Sequence, residues 1–158
     1  MKTIAIFVDV QNIYYTTRQA YARKFDYSAF WDQVCAQGQI ILANAYAINR
    51  NDEAQLRFQN NLKRIGFDVK LKPYILRKDG SAKGDWDVGI TIDVLEVTSK
   101  VNTIVLLSGD GDFSLLVDKV RKDFDIASEI YGVPSLTSNS LIKAASVYHP
   151  ITENLLLA

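Results

Sequence analysis

Short apolar runs alternate with helical patterns along the whole chain, and this alternation limits the possible folds more than any other feature. Thr3–Val8 reads TIAIFV, a β-branched run with a polar stop, as expected for a strand buried on both faces. Similar runs follow at Gln39–Ile48, Phe67–Tyr74, Thr103–Leu107 and Ile126–Tyr131, with a short last one at Val147–Ile151. Helical patterns fill the gaps: Asn12–Lys24, Tyr27–Ala36, Asp52–Ile65, Asp87–Lys100, Asp112–Asp123 and Ser138–Ser146. Strand and helix in regular turn predict an α/β fold of three layers, α/β/α, around a mostly parallel central sheet. The 158 residues suit one domain over residues 1–158. The loop-like stretch is Arg77–Gly84, where two glycines and a serine break the periodicity.

Composition removes several kinds of chemistry. The lone cysteine, Cys35, can form no internal disulfide and no cysteine-based zinc site. The lone histidine, His149, excludes a two-histidine acid–base nuclease and a multi-histidine metal site within one chain. No Gly-x-Ser-x-Gly elbow accompanies it. Gly109-Asp-Gly111 lacks the third glycine of a dinucleotide fingerprint, and no phosphate-binding Gly-x-x-x-x-Gly-Lys loop occurs. Charge interrupts every apolar run before membrane-spanning length, and no secretory leader opens the chain, so a cytoplasmic protein without a membrane partner is expected. The zero net charge hides an asymmetry. Between Lys63 and Lys83 seven basic residues face Asp68 and Asp79, giving +5 and leaving −5 elsewhere.

Of the 18 acidic residues 14 are aspartate, and several follow the apolar runs directly. Asp9 ends the first run, Asp110 and Asp112 follow the fourth, and Asp85 and Asp87 open the helix after the loop. In an open α/β sheet, ligands bind outside the carboxyl ends of the strands. Carboxylates gathered there repel one another unless a cation lies between them, and hard divalent ions such as Mg²⁺ or Mn²⁺ take such ligands. Taken singly, Asp9, Asp87 and Asp112 also fit helix N-caps.

The segments Phe7-Val8-Asp9-Val10-Gln11-Asn12, Lys83-Gly84-Asp85-Trp86-Asp87-Val88 running to Asp93, and Ser108-Gly109-Asp110-Gly111-Asp112-Phe113 together resemble the NYN domain, in its LabA-like group. The resemblance covers nearly the whole chain in order. It implies a PIN-like (Rossmann-like) topology and metal-dependent ribonuclease chemistry with Mg²⁺ or Mn²⁺. It implies an acidic centre of Asp9, Asp87, Asp110 and Asp112, with Asn12 orienting a water or a phosphate. Lys83 matches the family lysine expected to touch the phosphodiester, and Arg77 and Lys78 in the same cationic loop are expected to guide single-stranded RNA. The bulky Trp86 replaces the small residue usual before the helix aspartate, leaving open which of Asp85 and Asp87 faces the metal.

Other readings stay beside this one. A catalytically weak module that binds RNA or a regulatory partner would carry the same motifs, and so small a chain leaves room for a homo-oligomer. A phosphatase would want its Asp-x-Asp after the first run, and a topoisomerase–primase-like domain an early glutamate, but no Glu precedes Glu53. The helix from Asp87 has apolar residues on two stripes (Val88, Ile92, Leu95 and Ile90, Val94, Val97), so burial on most sides is expected, with Asp93 needing a partner. Phe30, Trp31, Tyr14 and Tyr15 are candidates for core packing or base stacking.

Overall fold

The computed structural model describes residues 1–73, 75–76, 82–83 and 85–158. β-Branched and aromatic side chains pack well on a pleated surface, and the six apolar runs form β1 (Thr3–Asp9), β2 (Gln39–Asn49), β3 (Asp68–Pro73), β6 (Thr103–Leu107), β7 (Ala127–Gly132) and β8 (Val147–Pro150). They pair in one sheet, in the order β3-β2-β1-β6-β7-β8, and every pairing is parallel. Two short strands that sequence patterning does not anticipate, β4 (Ile75–Leu76) and β5 (Ala82–Lys83), pair antiparallel at the edges of the loop-like stretch. Arg77, Lys78 and the side chain of Lys83 lie outside the described residues.

The helices are α1 (Val10–Tyr21), α2 (Tyr27–Cys35), α3 (Glu53–Ile65), α4 (Asp87–Glu96), α5 (Ser114–Phe124) and α6 (Asn139–Ala144). Successive strand residues point to opposite faces, so β1 divides its side chains between two cores. Ile4, Ile6 and Val8 pack with Ile13 of α1, Phe30 and Val34 of α2 and Leu62 of α3. Ala5 and Phe7 pack with Ile90 and Val94 of α4, Val117 and Val120 of α5 and Leu141 of α6. Phe30 and Trp31 belong to the first core, where Phe30 meets Tyr131 and Trp31 meets Phe67 edge-on. Part of the aspartate excess is capping: Asp26 and Asp52 accept hydrogen bonds from Ala29 N and Gln55 N at the starts of α2 and α3.

Three expectations are corrected here. The helix beginning at Asp87 ends at Glu96, and it is not buried all round: Ile90 and Val94 are buried, whereas Val88 and Ile92 are 70% and 51% exposed. A helix in the outer layer of a three-layer fold meets the sheet along one stripe only, whatever its other side carries. The helix expected from Asp112 begins as a 3-10 turn at Gly111–Phe113 before α5. No helix among the described residues is long and apolar enough to cross a membrane.

Candidate metal centre

The chain leaves β1 for β2 and β3 on one side, then returns to β6 on the other, so strand order reverses between β1 and β6. The crevice at the carboxyl ends of these two strands is where this architecture binds ligands, and among the described residues three carboxylates meet there. Asp9, the last residue of β1, continues the phase of Ala5 and Phe7 and so faces the side covered by α4. Asp87 is the first residue of α4, and Asp110 follows β6 after Ser108 and Gly109. One oxygen from each of Asp9, Asp87 and Asp110 lies within 4.8 Å of the others.

A hydrogen-bonded frame holds the three in place. Ser108 Oγ donates to Asp9 Oδ2 at 3.1 Å and accepts from Asp110 N at 3.2 Å, linking the Asp9 carboxylate to the Asp110 backbone through one hydroxyl. Asn12 Oδ1 accepts from Gly109 N at 2.9 Å, which ties the β6 loop to the first turn of α1. Asn12 N in turn donates to Asp9 Oδ1 at 3.5 Å, so Asp9 caps the start of α1. Asp9 is therefore an N-cap and a member of the cluster at once. Sequence reasoning did not single out Ser108. Its phase with Ile104 and Leu106 was the available signal, since it aims the hydroxyl to the same side of the sheet as Asp9.

The remaining sequence candidates fall outside the three. Asp112 is exposed on the 3-10 turn, and its backbone N–H donates to Asp110 Oδ1 at 2.9 Å. Asp85 is exposed, with Oδ1 3.3 Å from Asp87 N, so between Asp85 and Asp87 it is the latter that joins the cluster. Asp93 is engaged elsewhere. Tyr46 Oη donates to its Oδ2 at 2.7 Å, and Lys70 Nζ lies 3.4 Å from the same oxygen. Trp86, the departure from the family pattern, donates from Nε1 to Ala47 O at 2.9 Å and packs its ring 5.2 Å from that of Tyr46. It anchors the start of α4 to β2. His149 Nε2 pairs with Glu129 at 2.7 Å, and its ring stacks on Tyr131.

The electrostatics of the cluster favour a bound cation. Burial, opposed by the Ser108 hydrogen bond, raises Asp9 to about 6. Burial and the neighbouring Asp110 carboxylate raise Asp87 to about 7. Asp87 Oδ1 is buried with no hydrogen-bond partner among the described residues. An unpaired acceptor that deep costs about 1–3 kcal/mol, and a divalent ion would satisfy it while neutralising the repulsion. The donor set, carboxylate oxygens only, suits a hard divalent cation.

The NYN domain family matches residues 3–153. The low amplitude and bright protein LabA of Synechococcus elongatus is 29% identical over 126 residues, covering 75% of this chain and 67% of its own. A crystal structure of a Vibrio parahaemolyticus protein of unknown function is 50% identical, covers 99% of this chain and 96% of its own, and superposes with a TM-score of 0.94. The family match takes in β1, α4 and the β6 loop, and with them all three converging carboxylates. The chain belongs to the NYN domain family, in its LabA-like group.

Proposed function

We propose that this protein is a metal-dependent ribonuclease that hydrolyses phosphodiester bonds of single-stranded RNA in the cytoplasm. The observation that supports this most directly is the convergence of Asp9, Asp87 and Asp110 with Asp87 Oδ1 buried and, among the described residues, unpaired. Mg²⁺ or Mn²⁺ held by these three aspartates would supply an activated water and neutralise charge on the phosphate. Ser108 and Asn12 act as positioning residues, one spanning Asp9 and Asp110, the other holding the β6 loop against α1. Asp112 acts from the rim, holding Asp110 through its backbone N–H. Lys83, with Arg77 and Lys78, would receive the phosphodiester chain, since an acidic crevice repels a polyanion unless cations stand beside it. With His149 paired to Glu129, the chain offers no histidine pair to activate a 2′-hydroxyl. Products with 5′-phosphate ends are therefore expected.

The test is cleavage of single-stranded RNA in Mg²⁺ or Mn²⁺ by the wild type and by Asp9→Asn, Asp110→Asn and Asp112→Asn. The first two variants keep side-chain size, and each should lose activity by about 10²-fold or more, whereas Asp112→Asn should lose less. A wild type that binds RNA but cuts none in either metal would replace the nuclease with a binding module.

A further inference from the structure

A cavity of about 430 Å³ opens beside α1 on the side of the sheet covered by α2 and α3, whereas Asp9 faces the side covered by α4. Its walls begin at Val10 and Gln11, immediately after Asp9, and continue along α1 to the turn into α2, with α3 opposite. Tyr14 and Tyr15 line it while remaining 47% and 48% exposed, and Tyr27 and Phe58 line it from α2 and α3. We propose that this cavity receives a nucleobase of the RNA strand whose phosphate lies at the aspartate cluster. The inference rests on the nuclease reading and adds a substrate subsite to it.

Three observations support a base as the occupant. The volume lies in the range of small-molecule sites and exceeds what one base needs. The aromatic rings supply flat faces of the kind on which unstacked RNA bases are held. The charged residues of the lining, Lys24 and Arg50 against Asp26 and Asp52, sum to zero. Such a wall does not select a phosphate. It suits a neutral ring with polar edges, and Gln11 and Asn61 offer amides to those edges. The cluster and the cavity flank the same first turn of α1, so a strand crossing that turn could place its phosphate in one and an adjacent base in the other.

The experiment uses full-length Asp110→Asn protein, so that RNA is not consumed, and titrates it with a fluorescent short single-stranded RNA. Tyr14→Ala, Tyr15→Ala and Ala54→Trp are then added singly, the last placing an indole at an exposed position on the cavity wall. Loss of a base–aromatic contact should weaken binding by about tenfold in each tyrosine variant, and the tryptophan should do at least as much. Adenosine and uridine monophosphates should compete with the strand and shift the NMR signals of Tyr27 and Phe58. Thermal melts of all variants check the fold, and the exposed tyrosines keep the test valid if Ala54→Trp unfolds. Unchanged RNA affinity in the folded variants, while the wild type still cleaves, would overturn the base subsite and leave the nuclease reading intact. A mononucleotide that binds as tightly as the strand would also overturn it, because the cavity would then be a free-nucleotide site. No RNA binding by the Asp110→Asn protein together with no cleavage by the wild type would overturn both.

Discussion

Asp87 sits where burial and charge both oppose its ionised form, and its raised value near 7 has a definite consequence for stability. A carboxyl whose pKa is higher folded than unfolded contributes stability below the ordinary carboxylate range and loses it as pH rises through the folded value. Metal-free protein should therefore weaken between about pH 4 and pH 7 on account of Asp87 and Asp9. Asp87→Asn removes that penalty and gives Asp110 an amide donor. It should raise the metal-free melting temperature at pH 8 by about 2–4 °C for each kcal/mol gained, while sharply reducing the rise that Mn²⁺ produces in the wild type. Calorimetry with and without Mn²⁺ checks both halves, and a variant no more stable than the wild type without metal would contradict the electrostatic account. Because the ion must displace protons from Asp9 and Asp87, its stabilisation should grow as pH passes through 6 to 7 in the wild type. Ser108→Ala removes the hydrogen bond that lowers Asp9, so the same titration should move to higher pH.

At the scale of one element, α4 owes its placement to Trp86. The indole is fixed by its hydrogen bond to Ala47 O and its contact with Tyr46, and Lys72 Nζ lies 4.5 Å from the ring centroid on its open side. Gly89 passes under that ring: a Cβ there would come within 2.6 Å of Trp86 Cε3. An alanine in a helix normally gains about 0.5–1 kcal/mol over glycine. Gly89→Ala should instead destabilise the wild type, and become stabilising by roughly that amount in a Trp86→Ala background. Urea denaturation of the four proteins in this cycle reads the change of sign. Additive effects would show that the ring does not constrain the helix. Misplacing α4 also displaces Asp87, so Trp86→Ala should weaken metal-dependent stabilisation without touching a ligand.

For the whole molecule, the question is how an acidic crevice meets a polyanion. The basic window of the sequence is divided in the structure. Lys70 serves Asp93, Lys72 reaches Asp85 O and Trp86, and Lys63 and Arg64 lie in the last turn of α3. Arg77, Lys78 and Lys83 are the residues proposed to guide RNA. Each phosphate contact on a single strand contributes about −0.7 to the slope of log affinity against log salt. Arg77→Glu, Lys78→Glu and Lys83→Glu should each weaken RNA binding and flatten that slope, measured by fluorescence titration at several salt concentrations. Lys83→Ala should also slow cleavage at saturating RNA. Three unchanged slopes would move the binding surface elsewhere on the molecule.

The sequence alone carried what depends on near neighbours along the chain. Runs such as TIAIFV and the periodic stretches between them announced six main strands, six helices and their order, because side-chain branching and apolar spacing act locally. The same local reading placed Asp9 and Asp110 at strand ends and Asp87 at a helix start. The resemblance to the NYN domain grouped Asp9, Asp87, Asp110 and Asp112, and tertiary structure decided which of them meet, since that depends on β1 and β6 becoming neighbours across a reversal of strand order. It separated Asp87 from Asp85 two residues away, and turned Asp112 to solvent on a 3-10 turn while Asp110 stayed in the crevice. It showed that Asp93 is engaged by Tyr46 and Lys70, partners 47 and 23 positions away in the chain. It also left Val88 and Ile92 exposed, although the sequence around α4 carries apolar residues on two stripes and reads as buried on most sides. Patterning along a chain specifies which side chains could be buried or paired. Only the packing of distant segments determines which surface is covered and which oxygens come within reach of one ion.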